Sequence, residues 1–264
     1  MQEESEVANF LNQHLFDPIA RTLGWSLAAK QHALPDHIVM ILLIASGLIC
    51  FALWFRGQLS VENPTRVQHL LETALEALQG LMKEVIGRDS RKFLPILGAL
   101  GLYILAGNFI GLVPGFVSPT SNLNVTAACA VCVFVYYNYH GIRKHGFLKY
   151  MKHFAGPVWW MAPLLFAVEI VSHMARPVSL SIRLFGNIFA EELIIGSLNQ
   201  YLFPILTSVP VMFLALFAGA IQAFIFVLLT MVYISGAVEE GHDEGHAAER
   251  HEGPASSQPQ AEAA

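Results

Sequence analysis

Charge is what this chain has least of. Only 13% of its 264 residues are Asp, Glu, Lys or Arg, against about 25% in a soluble domain. Hydrophobic residues make up 55%, and the mean hydropathy is +0.51. That balance excludes an ordinary soluble fold and predicts an all-α polytopic membrane protein, with room for one membrane domain and none for a separate catalytic one. Cysteine is scarce too. Cys50, Cys129 and Cys132 all fall inside apolar runs, and the single C-x-x-C has no second pair to complete a zinc or redox site. No metal and no cofactor are expected. Neither H-E-x-x-H nor G-x-x-x-x-G-K-[ST] occurs, which argues against membrane metalloprotease chemistry and against nucleotide binding by this chain. The start, Met1-Gln-Glu-Glu-Ser-Glu, lacks the basic region of a cleavable signal peptide, so none is expected. The sequon Asn124-Val-Thr lies in a short loop between apolar spans and reads as coincidence.

What is present falls into three parts. Residues 1–36 are polar with amphipathic stretches (Phe10, Leu11, Leu15, Phe16, Ile19, Leu23) and are expected to lie on a membrane surface. Residues 37–238 form the membrane domain. The tail from 239 to 264 is polar and rich in Ala, Gly and His, and is expected to be disordered. Within the membrane domain, three roughly upright spans are predicted over about 37–55, 93–113 and 125–139, the last closed by Tyr136, Tyr137 and Tyr139 as an aromatic belt. Between the first two, Pro64 introduces an amphipathic interfacial helix, its stripe marked by Leu70, Leu71, Ala74, Leu75, Leu78, Leu81, Met82 and Val85.

Two longer apolar stretches follow, 163–198 and 204–238. As helices each would measure over ~50 Å, far more than a ~30 Å hydrocarbon core needs. Excess of that size predicts strong tilt, and the pair reads as one inclined two-helix hairpin turning near 199–204, with Pro177 and Gly186 as candidate bends. Lys and Arg are segregated. Residues 56–92 hold six (Arg56, Arg66, Lys83, Arg88, Arg91, Lys92) and 140–153 hold four (Arg143, Lys144, Lys149, Lys152), whereas 114–124 and 199–204 hold none. The positive-inside rule then predicts five crossings, with the N-terminus outside and the C-terminus in the cytoplasm.

Against this background Arg183 is conspicuous. It lies in Leu180-Ser-Ile-Arg-Leu-Phe-Gly-Asn-Ile-Phe-Ala-Glu-Glu-Leu-Ile-Ile195, where a charge costs roughly 2.5–3.5 kcal/mol at the bilayer centre on insertion scales. Asn187 is one turn on, and Glu191 and Glu192 are two turns on, so a guanidinium and proton-capable groups share one helix and read as an ion path. Glu169, Arg176 and Arg183 repeat at seven residues, so a neutralised structural ladder is the competing reading. Arg183 has no carboxylate at i±3 or i±4, however, which favours a partner from elsewhere, such as another chain. On the last helix Gln222 is the only strong hydrogen-bonding side chain between Ser208 and Thr230; it would serve as interhelical glue or, facing Arg183, help hold the guanidinium.

Three motifs carry a resemblance. Pro177-Val-Ser-Leu-Ser-Ile-Arg-Leu-Phe-Gly-Asn187, Gln222-Ala-Phe-Ile-Phe-Val-Leu-Leu-Thr-Met-Val-Tyr233 and Asn108-Phe-Ile-Gly-Leu-Val-Pro114 resemble subunit a of the membrane sector of rotary F-type ATP synthase, over about residues 37–240. The resemblance implies a non-catalytic proton-translocating subunit, and the tight loops and lack of a presequence favour a bacterial inner membrane over an organelle. It implies as partners a ring of c subunits, the b subunits of the peripheral stalk, the rest of the complex and the bilayer, with no nucleic acid. Arg183 would be the essential arginine between two offset half-channels. Asn187, Glu192 and Gln222 match family positions near it or in the outer half-channel, while many relatives have glycine at the position of Glu191. Relatives without an acid there often carry a histidine where this chain has Ala215, so the relay is expected to rest on Glu191 and Glu192. Glu169, His173, Arg176, Ser179 and Asn124 are the further candidates for lining the access paths, His173 being equally readable as a satisfied packing residue.

Two other classes were weighed. A self-contained secondary transporter calls for inverted repeats, and no such symmetry is visible. An intramembrane haem enzyme wants paired histidines, and only His173 stands clearly in an apolar helix. The tail Gly241-His-Asp-Glu-Gly-His-Ala-Ala-Glu-Arg-His251 reads as solvated rather than metal-binding.

Overall fold

The computed structural model describes residues 6–18, 35–60, 63–87, 90–113, 116–146, 162–201 and 204–239. Among them are seven α-helices and no strand: α1 Glu6–Leu11, α2 Asp36–Arg56, α3 Arg66–Val85, α4 Leu94–Ile110, α5 Leu123–His145, α6 Ala162–Tyr201 and α7 Pro204–Glu239. The inner part of the turn predicted at 199–204 (residues 202 and 203), and the tail beyond Glu239, lie outside the described residues, as do 19–34 of the N-terminal segment.

Three helices are long and apolar enough to cross a membrane: α2, α5 (over Leu123–Lys144) and α7 (over Pro210–Val238). Helix α2 has 21 residues, which at 1.5 Å each just covers a ~30 Å core. Helix α4 is apolar but has 17 residues, about 25 Å. Helices α6 and α7 run for 40 and 36 residues, close to twice the core thickness.

The core is where α4, α5, α6 and α7 meet. Leu97 and Ile104 of α4, Val133 and Tyr137 of α5, Leu180 and Leu184 of α6, and Phe226, Met231 and Ile234 of α7 are all buried there. The close approach of α4 and α7 needs small residues. A Cβ on Gly101 would stand 2.9 Å from Val227 Cγ2, and one on Gly219 would stand 3.2 Å from Asn108 Cβ. At one end, Lys144 Nζ donates to the Val238 carbonyl (2.9 Å), a cation on the last turn of α7. Ser235 Oγ donates to the Val85 carbonyl and ties α7 to the end of α3.

Local signals set several boundaries. Thr65 caps α3, its Oγ1 accepting from Gln68 N–H at 3.3 Å, and Gly87, at φ +89°, ends it. The amphipathic helix thus begins at Arg66, two residues after Pro64. The third span is longer than the 125–139 read from sequence. Nothing interrupts α5 until Gly146, whose φ of +81° suits glycine. Tyr137 is therefore no member of an aromatic belt but a core residue, 1% exposed. Pro177 and Gly186 do not break α6, which stays helical through both. The N-terminal segment contributes α1 and a π-helical turn, Asn12–Phe16, with Ala8 buried against Val39 and Met40 of α2.

Candidate functional site

Helix α6 buries one stripe, His173, Leu180, Ser181, Leu184 and Ile188, at three- and four-residue spacing. Arg183 is off that stripe and exposed. Ser179 and Asn187, one turn either side of it, are exposed too, but the rest of the outward surface is largely apolar: Val178, Ile182, Phe189, Leu193 and Ile194 of α6 are all exposed, as are Phe213, Leu214, Phe217, Ile221 and Phe224 of α7. Among the described residues Arg183 makes neither an ion pair nor a side-chain hydrogen bond. A guanidinium thus stands unpaired on an apolar surface formed by the two longest helices.

One turn on, Asn187 links the two helices. Its Nδ2 donates to Gln222 Oε1 at 2.6 Å. Gln222 is 2% exposed, and its Nε2 has no hydrogen-bond partner among the described residues. The glutamine therefore serves as interhelical glue to Asn187, and among the described residues no hydrogen bond joins it to Arg183. Glu191 and Glu192 follow, both half-buried.

The other candidates separate into two groups. Arg176 is half-buried with its guanidinium carbon 5.7 Å from the Tyr233 ring centroid, a cation–π contact across to α7. Glu169, also half-buried, forms no ion pair with it, so the seven-residue spacing does not close into a salt-bridge ladder. His173 is buried, its Nε2 2.9 Å from Asn138 Oδ1 of α5, with Phe134 and Tyr137 packed on the ring. Asn138 Nδ2 donates to the Phe134 carbonyl (2.7 Å), which orients its oxygen toward the histidine. Ser179 and Asn124 are exposed. Asn124 is the second residue of α5, its N–H capped by Asn122 Oδ1. Neither is joined to Arg183 or Gln222 by a hydrogen bond.

A polar chain that sequence reasoning missed leads toward this region. Ser118 Oγ donates to the Gly107 carbonyl and lies 2.7 Å from Thr120 Oγ1; Thr120 donates to Asn108 Oδ1 (2.8 Å), and Asn108 Nδ2 donates to the Gly219 carbonyl (3.0 Å). Gly219 is one turn before Gln222. All three side chains are buried. Asn108 was visible as the first residue of a motif, but nothing local distinguished Ser118 and Thr120 from other loop hydroxyls. Thr126 and Ser181, also buried, face each other at 3.3 Å between α5 and α6. Among the described residues no three His, Cys, Asp or Glu side chains are grouped to hold a metal ion.

These features define a polytopic helical membrane protein whose polar groups gather along its last two helices. The family model described as ATP synthase A chain matches residues 38–235. The chain is 41% identical over 232 residues to ATP synthase subunit a of Syntrophobacter fumaroxidans, covering 88% of this chain and 94% of that one. It is 44% identical over 225 residues to ATP synthase subunit a 1 of Syntrophotalea carbinolica (84% and 94%), and 45% identical over 179 residues to ATP synthase subunit a of Geobacter sulfurreducens (68% and 77%). The chain belongs to the ATP synthase subunit a family, the proton-channel subunit of the membrane sector, which is not itself catalytic.

Proposed function

We propose that this chain couples proton flow to rotation of a c-subunit ring, with Arg183 as the gate between two offset half-channels. The observation that carries this reading is the exposed, unpaired Arg183 on the apolar face of α6 and α7. A guanidinium kept in that setting needs an anionic partner, and a membrane-embedded carboxylate on each ring subunit is the partner that fits. Drawn to the arginine, each carboxylate stays ionised as it passes, and protons cannot leak straight from one half-channel to the other.

The outer half-channel would follow the polar chain Ser118–Thr120–Asn108 toward Gln222 and Asn187 and reach Glu191 and Glu192, the relay acids. The inner one would be lined from Glu169, His173, Arg176 and Ser179, with Asn124 a candidate on the outer side. For α6 and α7 to lie along the ring within a ~30 Å core, both must be strongly inclined. The b subunits would hold the chain against the remainder of the complex. The bacterial relatives support an inner-membrane placement, and the Lys and Arg distribution supports the N-terminus outside and the C-terminus in the cytoplasm; the chain would then have three parts, the surface segment 1–36, the membrane domain 37–238 and the tail 239–264.

The test is to purify the assembled complex carrying Arg183→Ala and measure ATP-driven proton pumping in vesicles. Retention of the ring with loss of pumping is the expected result. Wild-type pumping would sink the gate assignment.

A further inference from the structure

We propose that the basic end of the α4–α5 pair, together with the outward face of α5, binds one anionic phospholipid. Phe93, just before α4, packs edge-on against Tyr136 (ring centroids 6.2 Å apart) and His140 (5.0 Å). His140 also meets Tyr136 at a tilt (4.6 Å) and Tyr139 edge-on (5.5 Å). These ring contacts bring the short helix Ser90–Lys92 beside the last turns of α5. The charges of Arg143 and Lys92 consequently both bear on the His140 ring. Arg143 is held over this platform by Tyr139, whose hydroxyl oxygen lies 3.3 Å from its Nη1. Two cations and an imidazole therefore converge where the helix pair leaves its apolar surroundings.

Directly below them runs a shallow apolar trough along α5, lined by Ala128, Val131, Cys132, Val135, Tyr136 and Tyr139. Val131, Val135 and Tyr139 are each more than half exposed, and no other described helix of the chain covers them. From Ala128 to Tyr139 the trough rises about 16 Å, close to half of a ~30 Å hydrocarbon core. That is the depth of one leaflet. An acyl chain in the trough would place its phosphodiester beside Lys92, Arg143 and His140. The phosphodiester of a zwitterionic lipid could meet the same cations, but its own ammonium would offset part of the attraction. The combination selects a headgroup with net negative charge, and each basic residue near a membrane surface contributes about fivefold in binding.

The test uses the assembled complex in nanodiscs, with photoactivatable phosphatidylglycerol or phosphatidylcholine whose reactive group is on the acyl chain, and maps the crosslinks by mass spectrometry. The phosphatidylglycerol probe should label the segment 128–139 preferentially. The double variant Lys92→Gln, Arg143→Gln should lower that labelling by at least about tenfold and phosphatidylcholine labelling by much less, with subunit composition checked on the same gel. Inorganic phosphate should not compete, because it lacks the chain. A second variant, Val135→Trp, fills the trough and should reduce labelling with both charges intact. Equal labelling by the two lipids, unchanged labelling in the double variant, displacement by inorganic phosphate, or protection of the segment by a neighbouring subunit's helix would each overturn the proposal.

Discussion

At the scale of single residues, the contrast between Arg183 and Arg176 shows how little sequence spacing fixes. Both are arginines on α6, seven residues apart. One rests on the Tyr233 ring, and the other has no polar partner among the described residues. Arg183→Lys should restore little of the pumping lost in Arg183→Ala, because a compact ammonium lacks the planar fork that engages a carboxylate; near-normal pumping by the lysine variant would show that charge alone suffices. Asn187 offers a separate check. Asn187→Ala removes the donor to Gln222 Oε1 and leaves a buried amide unmatched, at a cost of about 1–3 kcal/mol. Its proton flux should fall severalfold while the ring stays bound, and flux equal to wild type would leave the Asn187–Gln222 bond a packing detail. Arg183, Asn187 and Gln222 were legible in the sequence because a polar group in an apolar run is costly and therefore visible. That Gln222 meets Asn187 was not legible, since the rotational setting of α7 against α6 depends on packing all along both helices.

Elements were legible to the extent that apolar runs and breakers are local. The sequence marked α2, α3 and the long α6 and α7, but it ended α5 six residues early. The tyrosines at 136–139 look like a belt until burial shows Tyr137 in the core. Pro177 does not end the helix, and α6 continues through it, because loss of one backbone hydrogen bond is tolerable where neighbouring helices hold the geometry. The Gly219 contact with Asn108 could not be read from sequence at all, since it joins residues 111 apart. It yields a prediction about elements. Gly219→Val would press α7 away from α4 and strain the Asn108–Gly219 bond, an overpacking cost of about 1–3 kcal/mol. Detergent-solubilised complex carrying Gly219→Val should lose this subunit at lower temperature than wild type, with Gly236→Val, where a Cβ meets nothing within 4 Å, as the control. Equal thermal retention of the two variants would mean that the α4–α7 approach is not held tightly.

For the molecule as a whole, the distribution of surfaces points in one direction. The core joins α4, α5, α6 and α7, whereas much of α2, α6 and α7 presents large apolar side chains outward. A lipid bilayer accounts for most of that surface, and on the proposed function a ring of c subunits would cover the part that contains Arg183. Passage of a proton then requires acids that take it up and release it. Glu191 and Glu192 are the acids nearest Arg183 on the same helix, and both are half-buried. On a straight helix they lie about 80° and 180° round from the arginine, so one can serve the ring side and the other the interior of the subunit. Ala215, buried on α7, offers no titratable substitute. Replacing both acids by glutamine keeps volume and hydrogen bonding while removing the exchangeable charge. Proton flux through the reconstituted complex should then fall by at least about tenfold, the scale of one general acid–base step, and each single variant should lose less because its neighbour can still exchange a proton. The measurement is ATP-driven acidification of vesicles between pH 6 and 8, with ATP hydrolysis followed in parallel to show that the catalytic sector still turns over. Normal acidification by the double variant would make the pair structural and move the relay to the buried hydroxyl and amide chain of Ser118, Thr120 and Asn108.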